Sequence, residues 1–175
     1  MRRTLLSVLM TGGSFGVLAA TPIPTAATFQ VSAVVTVGCL VVGNPTQVSG
    51  VQFGLLDFGS HSALSSTPIA TTLSAGSGLL AQLQCTPGAA VTVTLDGGQN
   101  ASGGQRRLSM GSGNYLPYTL YTSASKTTAY TPGVGVPMDT STGTVSLTVH
   151  GVASPPGSGL PAGQYSDTVQ VTFGW

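Results

Sequence analysis

Any chemistry in this chain has to come from a short inventory. There are two histidines, His61 and His150, four aspartates, Asp57, Asp96, Asp139 and Asp167, no glutamate, and two cysteines, Cys39 and Cys85. A Ser-His-Asp relay needs a serine beside one of those histidines, and its members need not be neighbours in sequence. Nothing nominates the serine. The one nucleophile-elbow pattern, Gly12-Gly13-Ser14-Phe15-Gly16, lies in an apolar N-terminal stretch without the strand–turn–helix setting the motif requires. His61 falls in the loop-like "GSHSAL". His150 follows Val149 and takes the opposite strand face from the alternating apolar residues, so both read as surface histidines. Paired acids for glycoside cleavage would have to be drawn from the aspartates. Asp96 is explained by the turn Asp96-Gly97-Gly98. Asp167 shares a face with Tyr165 and Val169, and burial there calls for a partner, Arg107 or backbone amides. No catalytic residue, cofactor site or metal site is expected. Asn100-Ala101-Ser102 fits the N-glycosylation triplet, which is common by chance.

The cysteines point to structure instead. The chain opens with Arg2 and Arg3, then an apolar run from Leu5 to Ala20, then small residues. That is the layout of an export signal, with cleavage after Ala20 or after Ala27; Ala27 is taken because a strand pattern begins next. About 16 apolar residues fall short of the roughly 20 that a spanning helix needs, so no integral membrane anchor is expected. In an exported chain an even number of cysteines favours a disulfide, Cys39 with Cys85. The rival, a two-thiol metal site, has no histidine at ligand spacing.

After residue 27 the chain has only Arg106, Arg107 and Lys126 against the four aspartates. Nucleic acid binding needs clustered cations, so it is excluded as a function class. Gly, Ser, Thr and Val dominate, a composition of strands and turns. Period-two alternation marks "TFQVSAVVTVGC" at 28–39, "LLAQLQC" at 79–85, "AAVTVTLDGG" at 89–98, "GTVSLTVHG" at 143–151 and "GQYSDTVQVTF" at 163–173. "VQFGLLDFG" at 51–59 and "PIATTL" at 68–73 are weaker. "NYLPYTLYT" at 114–122 carries Pro117, which predicts an edge or bulged strand. Seven or eight strands separated by turn clusters predict a single β-sandwich over residues 28–175. The face Val169, Val171, Phe173 and Trp175 also fits the last strand of a membrane barrel, but long strands and two aromatic girdles are missing.

The ordered set "FGLLDFG", "LQCTPG", "VTLDGG", "RRLSM", "LPYTLYT", "VHGV" and "GQYSDTVQVTF" resembles spore coat protein U-like domains, which include subunits of archaic (Csu-type) chaperone–usher pili. The most specific parts are Gly163 to Val169 and Arg107 to Tyr121. His150 stands where the family often has Tyr, Tyr130 where Trp is frequent, and the chain runs two residues past Phe173. The resemblance implies an all-β, incomplete immunoglobulin-like sandwich of six to eight strands, completed by donor-strand exchange. It implies that residues 28–37 are the donor segment, with Phe29, Val31, Ala33, Val35 and Val37 as the inserted side chains. Implied partners are a periplasmic pilus chaperone, an outer-membrane usher and neighbouring pilin subunits. The implied location is the cell surface, reached through the periplasm, in a fibre supporting adhesion and biofilm formation. By its residues alone, 28–37 equally suits an ordinary first strand. A secreted ligand-binding or adhesin sandwich, with loops 131–143 and 153–163 as its surface, and a spore-coat-type structural protein are the alternatives.

Overall fold

The computed structural model describes residues 28–75 and 82–175. The proposed export signal, the Gly12–Gly16 pattern and positions 79–81 lie outside the described residues. The described chain is all-β. It forms β1 (Cys39–Val41), β2 (Ile69–Thr72), β3 (Gln82–Cys85), β4 (Thr92–Leu95), β5 (Arg106–Gly111), β6 (Asn114–Tyr121), β7 (Gly135–Pro137), β8 (Thr144–Ser146), β9 (His150–Ala153) and β10 (Val171–Gly174). They make three antiparallel sheets in the orders β1-β3-β8, β10-β4-β7 and β2-β9-β6-β5. All the sheets lie in the unit Val35–Trp175; residues 28–34 fall in a separate unit and carry no strand.

Alternation becomes packing directly. Along β3 and β4 every second residue is buried, Leu83 and Cys85, then Val93 and Leu95. One core gathers Val93 and Leu95 from β4, Tyr118 and Leu120 from β6, and Leu147, Val149 and Ala153 on the way into and along β9. The three-stranded and four-stranded sheets therefore face each other as a sandwich. A second core joins Leu83, Cys85, Ala89, Val91 and Val145.

Several expectations change in detail, three of them here. The single strand expected over 143–151 divides. β8 pairs with β3, then Leu147 to Val149 carry the chain into the other layer, where β9 pairs with β2 and β6. This division is one source of ten strands in place of six to eight. Second, β6 is neither an edge nor bulged despite Pro117; it lies between β9 and β5. Pro117 still accepts a bond from Ser154 N–H at 3.0 Å, so its missing N–H faces β9 one residue beyond that strand's end. The defect thus costs the sheet a terminal bond rather than an internal one. The register shift sits in β5, between Ser109 and Gly111. Third, pairing of the strand expected at 28–39 starts only at Cys39. Residues 28–37 are all exposed, Phe29 by 88% and Val35 by 93%.

Cys39 and Cys85 are disulfide-bonded and stand opposite each other in the β1–β3 register. The bond closes a 46-residue separation, and the chain-entropy model gives it about 4 kcal/mol of stabilisation. Replacing both cysteines by serine is expected to lower unfolding free energy by that order in urea titration. Native protein should weigh two hydrogens less than its reduced form by mass spectrometry.

Candidate functional site

The site begins with backbone parity. β4 lies between β10 and β7. Asp96 N–H donates to the Gln170 carbonyl at 3.0 Å, while Gly133 and Met138 N–H donate to Leu95 and Val91 carbonyls, each at 2.9 Å. Even-numbered residues of β4 therefore face β10 and odd-numbered ones face β7. In antiparallel pairing the same alternation runs along β10. Gln170, Thr172 and Gly174 turn their backbone groups to β4. Val169, Val171 and Phe173 turn theirs away, and among the described residues no strand pairs with that side. Two other edges, those of β5 and β7, are blunted. Ser109 and Ser166 exchange both backbone bonds at 2.9 Å beside β5, and β7 is three residues long and ends in Pro137.

The residues with outward-facing backbone also send side chains towards the core. Val169, Val171 and Phe173 are half-buried against it. The facing wall is the segment 51–59. It was expected to be a strand, but only Leu55 pairs, with Ser74. Its phase changes at Gly54, whose φ of 146° is open to glycine. Val51 and Phe53 point in before that residue, and Leu56 and Phe58 after it. Leu56 and Phe58 sit over Gly151 of β9, where an added Cβ would come within 2.5 Å of Leu56 Cδ2 and 3.0 Å of Phe58 Cζ. The walls are bridged at both ends. Phe53 and Phe173 ring centroids are 5.2 Å apart, and Tyr118 lies between Phe58, 6.2 Å by centroids, and Asp167. Between those bridges the half-buried apolar side chains of the two segments lie beside an unpaired strand edge.

Polar groups fix the near end. Tyr118 hydroxyl donates to Asp167 Oδ2 at 2.7 Å, and Asn100 donates to Oδ1 from its backbone N–H and its Nδ2. The partners of Asp167 are thus Tyr118 and Asn100, the latter partly through a backbone amide as expected, and Arg107 is not among them. Arg107 donates to the Asn100 carbonyl at 2.9 Å and stacks 3.9 Å above the Tyr115 ring. Burial, then the hydrogen bond to Asp167, pushes the Tyr118 phenol well above its ordinary value of 10. Asp96 accepts from Gln170 N–H and Gly98 N–H, standing in for a backbone partner where β4 ends. Arg106 was not singled out as structural by sequence reasoning. It is buried and donates to the carbonyls of Leu95, Asp96 and Tyr130, and desolvation lowers its pKa. The signal available was that Arg106 shares a face with Leu108 in the strand.

Among the described residues the histidines bond to a carbonyl and a threonine rather than to a serine or aspartate. His61 Nε2 bonds the Phe58 carbonyl at 2.6 Å, and His150 Nδ1 bonds Thr72 Oγ1 at 2.9 Å. Of the residues implied as inserted side chains, Phe29, Val31, Ala33, Val35 and Val37 are all exposed.

Fold and site together define an all-β sandwich in which the outer edge of β10 is unpaired and lined with half-buried apolar side chains. The family model for the Spore Coat Protein U domain matches residues 25–172, and the chain belongs to that family. No curated protein matches. Among solved structures the chain is similar, at 16% identity and TM-score 0.43, to the CsuC–CsuE chaperone–tip adhesion subunit pre-assembly complex from archaic chaperone–usher Csu pili of Acinetobacter baumannii, covering 81% of this chain and 40% of that one. It is similar to a chaperone–tip adhesin complex of CFA/I fimbriae, at 16% identity, TM-score 0.41, 78% of this chain and 40% of that one. It is also similar to the P pilus rod subunit PapA, at 14% identity, TM-score 0.47, 86% of this chain and 99% of that one. The chain spans well under half the length of the first two chains.

Two outcomes follow from this geometry. Gly151→Ala forces Leu56 and Phe58 off their seat and is expected to cost about 1–3 kcal/mol, read by urea denaturation. Because folded Tyr118 keeps a proton that the unfolded chain loses near pH 10, this phenol should leave stability unchanged below that pH. Above it, stability should fall by up to about 1.4 kcal/mol per pH unit for this phenol. Tyr118→Phe removes its share of the fall. The raised Tyr130 phenol, buried likewise, leaves a residual slope.

Proposed function

We propose that this protein is a non-enzymatic structural subunit of a surface fibre built by strand addition along the chaperone–usher route. Residues 1–27 direct export and are removed. Residues 28–37 are the donor segment, and Phe29, Val31, Ala33, Val35 and Val37 enter the groove of a neighbouring subunit. A periplasmic chaperone occupies the groove first, and an outer-membrane usher handles the exchange. The assembled fibre at the cell surface serves adhesion and biofilm formation.

One observation carries this reading. Val169, Val171 and Phe173 combine outward-facing backbone with inward-facing side chains. An incoming strand satisfies both needs only if its inward residues recur every second position. Directly opposite residues in an antiparallel pair share a face, so the residues that bond are also the ones that insert. The exposed run 28–37 has that period: its other face is Thr28, Gln30, Ser32, Val34 and Thr36. Main-chain bonds then supply affinity and alternate side chains supply fit.

The test is deletion of residues 28–37 from protein made together with its chaperone. The shortened chain is expected to remain a soluble chaperone-bound or monomeric species by size-exclusion chromatography and electron microscopy, while the full chain forms fibres. Fibres from the shortened chain would refute the assignment.

A further inference from the structure

The open edge of β10 is held on one side only, by β4, over four residue pairs. An edge so lightly anchored, lined with half-buried apolar side chains, gains by sagging onto the facing wall, since closing the groove removes apolar surface from water. Something must hold the start of β10 in place. The chain changes partner there. Ser166 is bonded to Ser109 of β5, whereas Thr168 and Gln170 accept from Gln99 and Asp96. Asp167 sits at that corner.

Its carboxylate is built into position. Oδ1 is taken by Asn100 N–H at 3.2 Å and Asn100 Nδ2 at 3.1 Å, which turns Oδ2 towards the Tyr118 hydroxyl at 2.7 Å. Gly98, at φ +80°, clears the space: a Cβ there would collide with the Asp167 carboxylate. Tyr118 is 3% exposed and is paired on both sides, with Arg106 of β5 and Ala153 of β9. It is therefore a firm anchor in the middle of the four-stranded sheet, and its ring reaches Phe58 of the opposite wall.

Resting on the strand-addition reading above, we propose that the Tyr118–Asp167 hydrogen bond is a pin that positions the open edge of β10 for an incoming strand. The pair acts through β10 rather than by touching the inserted residues, so both are positioning residues. Loss of the pin lets the corner at residues 166–168 relax and the edge close, and the groove must then be reopened before a strand can enter. The reopening lowers affinity for the strand by the fraction of molecules left receptive.

The experiment uses the full-length chain and a fluorescently labelled synthetic peptide of residues 28–37, with binding followed by anisotropy well below the unfolding temperature. Tyr118→Phe, which removes only the hydroxyl, is expected to weaken peptide binding at least tenfold. Val145→Ala, in the second core, is the comparison: it destabilises the fold, yet peptide affinity should stay at the wild-type level. Wild-type affinity in Tyr118→Phe overturns the pin while leaving strand addition standing. An equal loss in Val145→Ala also overturns it, because general loosening then explains the effect. A wild-type chain that binds no peptide overturns the strand-addition reading and the pin with it.

Discussion

Backbone hydrogen bonding along β10 is the constraint from which the rest of the site follows. Val169, Val171 and Phe173 cannot bond towards β4, because parity turns their backbone groups outward. They cannot turn their side chains to water without stripping the core of part of its cover. A strand edge in that condition is an adhesive surface. Proteins usually blunt such edges, and this one does so at β5, with Ser166, and at β7, with its short length and Pro137. At β10 none of those devices is used. What surrounds the edge instead is polar and side-chain based: Asp96 holding Gln170, and Asp167 held by Tyr118 and Asn100.

These polar groups do work that hydrophobic contacts could not. Arg106 is buried, and rather than a salt bridge it has three backbone carbonyls, of Leu95, Asp96 and Tyr130. A buried guanidinium is tolerated only where its donors are taken up. Here they gather the end of β4, the start of β5 and the loop at residue 130 around one side chain. The apolar core on its own would accept several packings of strands this short. Bonds of fixed length and direction select one of them and fix the start of β10 beside its unpaired edge.

Much of this was legible in the sequence, and the limits have physical causes. Period-two runs located β3, β4 and, at the end of the run 163–173, β10, because a strand with one buried face writes its pattern directly; β2 and β6 were found from weaker or proline-bearing patterns. The disulfide followed from cysteine number together with the export-signal pattern read at the start of the sequence. Pro117 misled, because the penalty of a proline depends on where its missing N–H points, and that is set by the length of a neighbouring strand. The division of 143–151 was hidden for a similar reason: alternation continues unbroken from Val145 through Val149 while the chain changes sheets. Asp167 was correctly read as needing a partner. Yet Tyr118 lies 49 positions away, and nothing local distinguishes it from Arg107. The open edge itself could not be read, since an unpaired strand and a paired one share the same alternation.

On the strand-addition proposal, that ambiguity also bears on how strictly the arm must be written. If the incoming strand slips by one residue, Gln30, Ser32 and Thr36 enter the groove in place of Phe29, Val31 and Val35. Each buried polar group without a partner costs about 1–3 kcal/mol, and the apolar side chains return to water. A slip by two keeps the face but shifts the strand along a groove bridged at both ends, by Phe53 with Phe173 and by Asp167 with Tyr118 and Phe58. One-residue slips are thus resisted by polarity and two-residue slips by length. An arm needs nothing more specific than alternation and a fixed count of residues to find one register. On that proposal, a segment with no chemistry of its own can still carry a defined instruction for assembly.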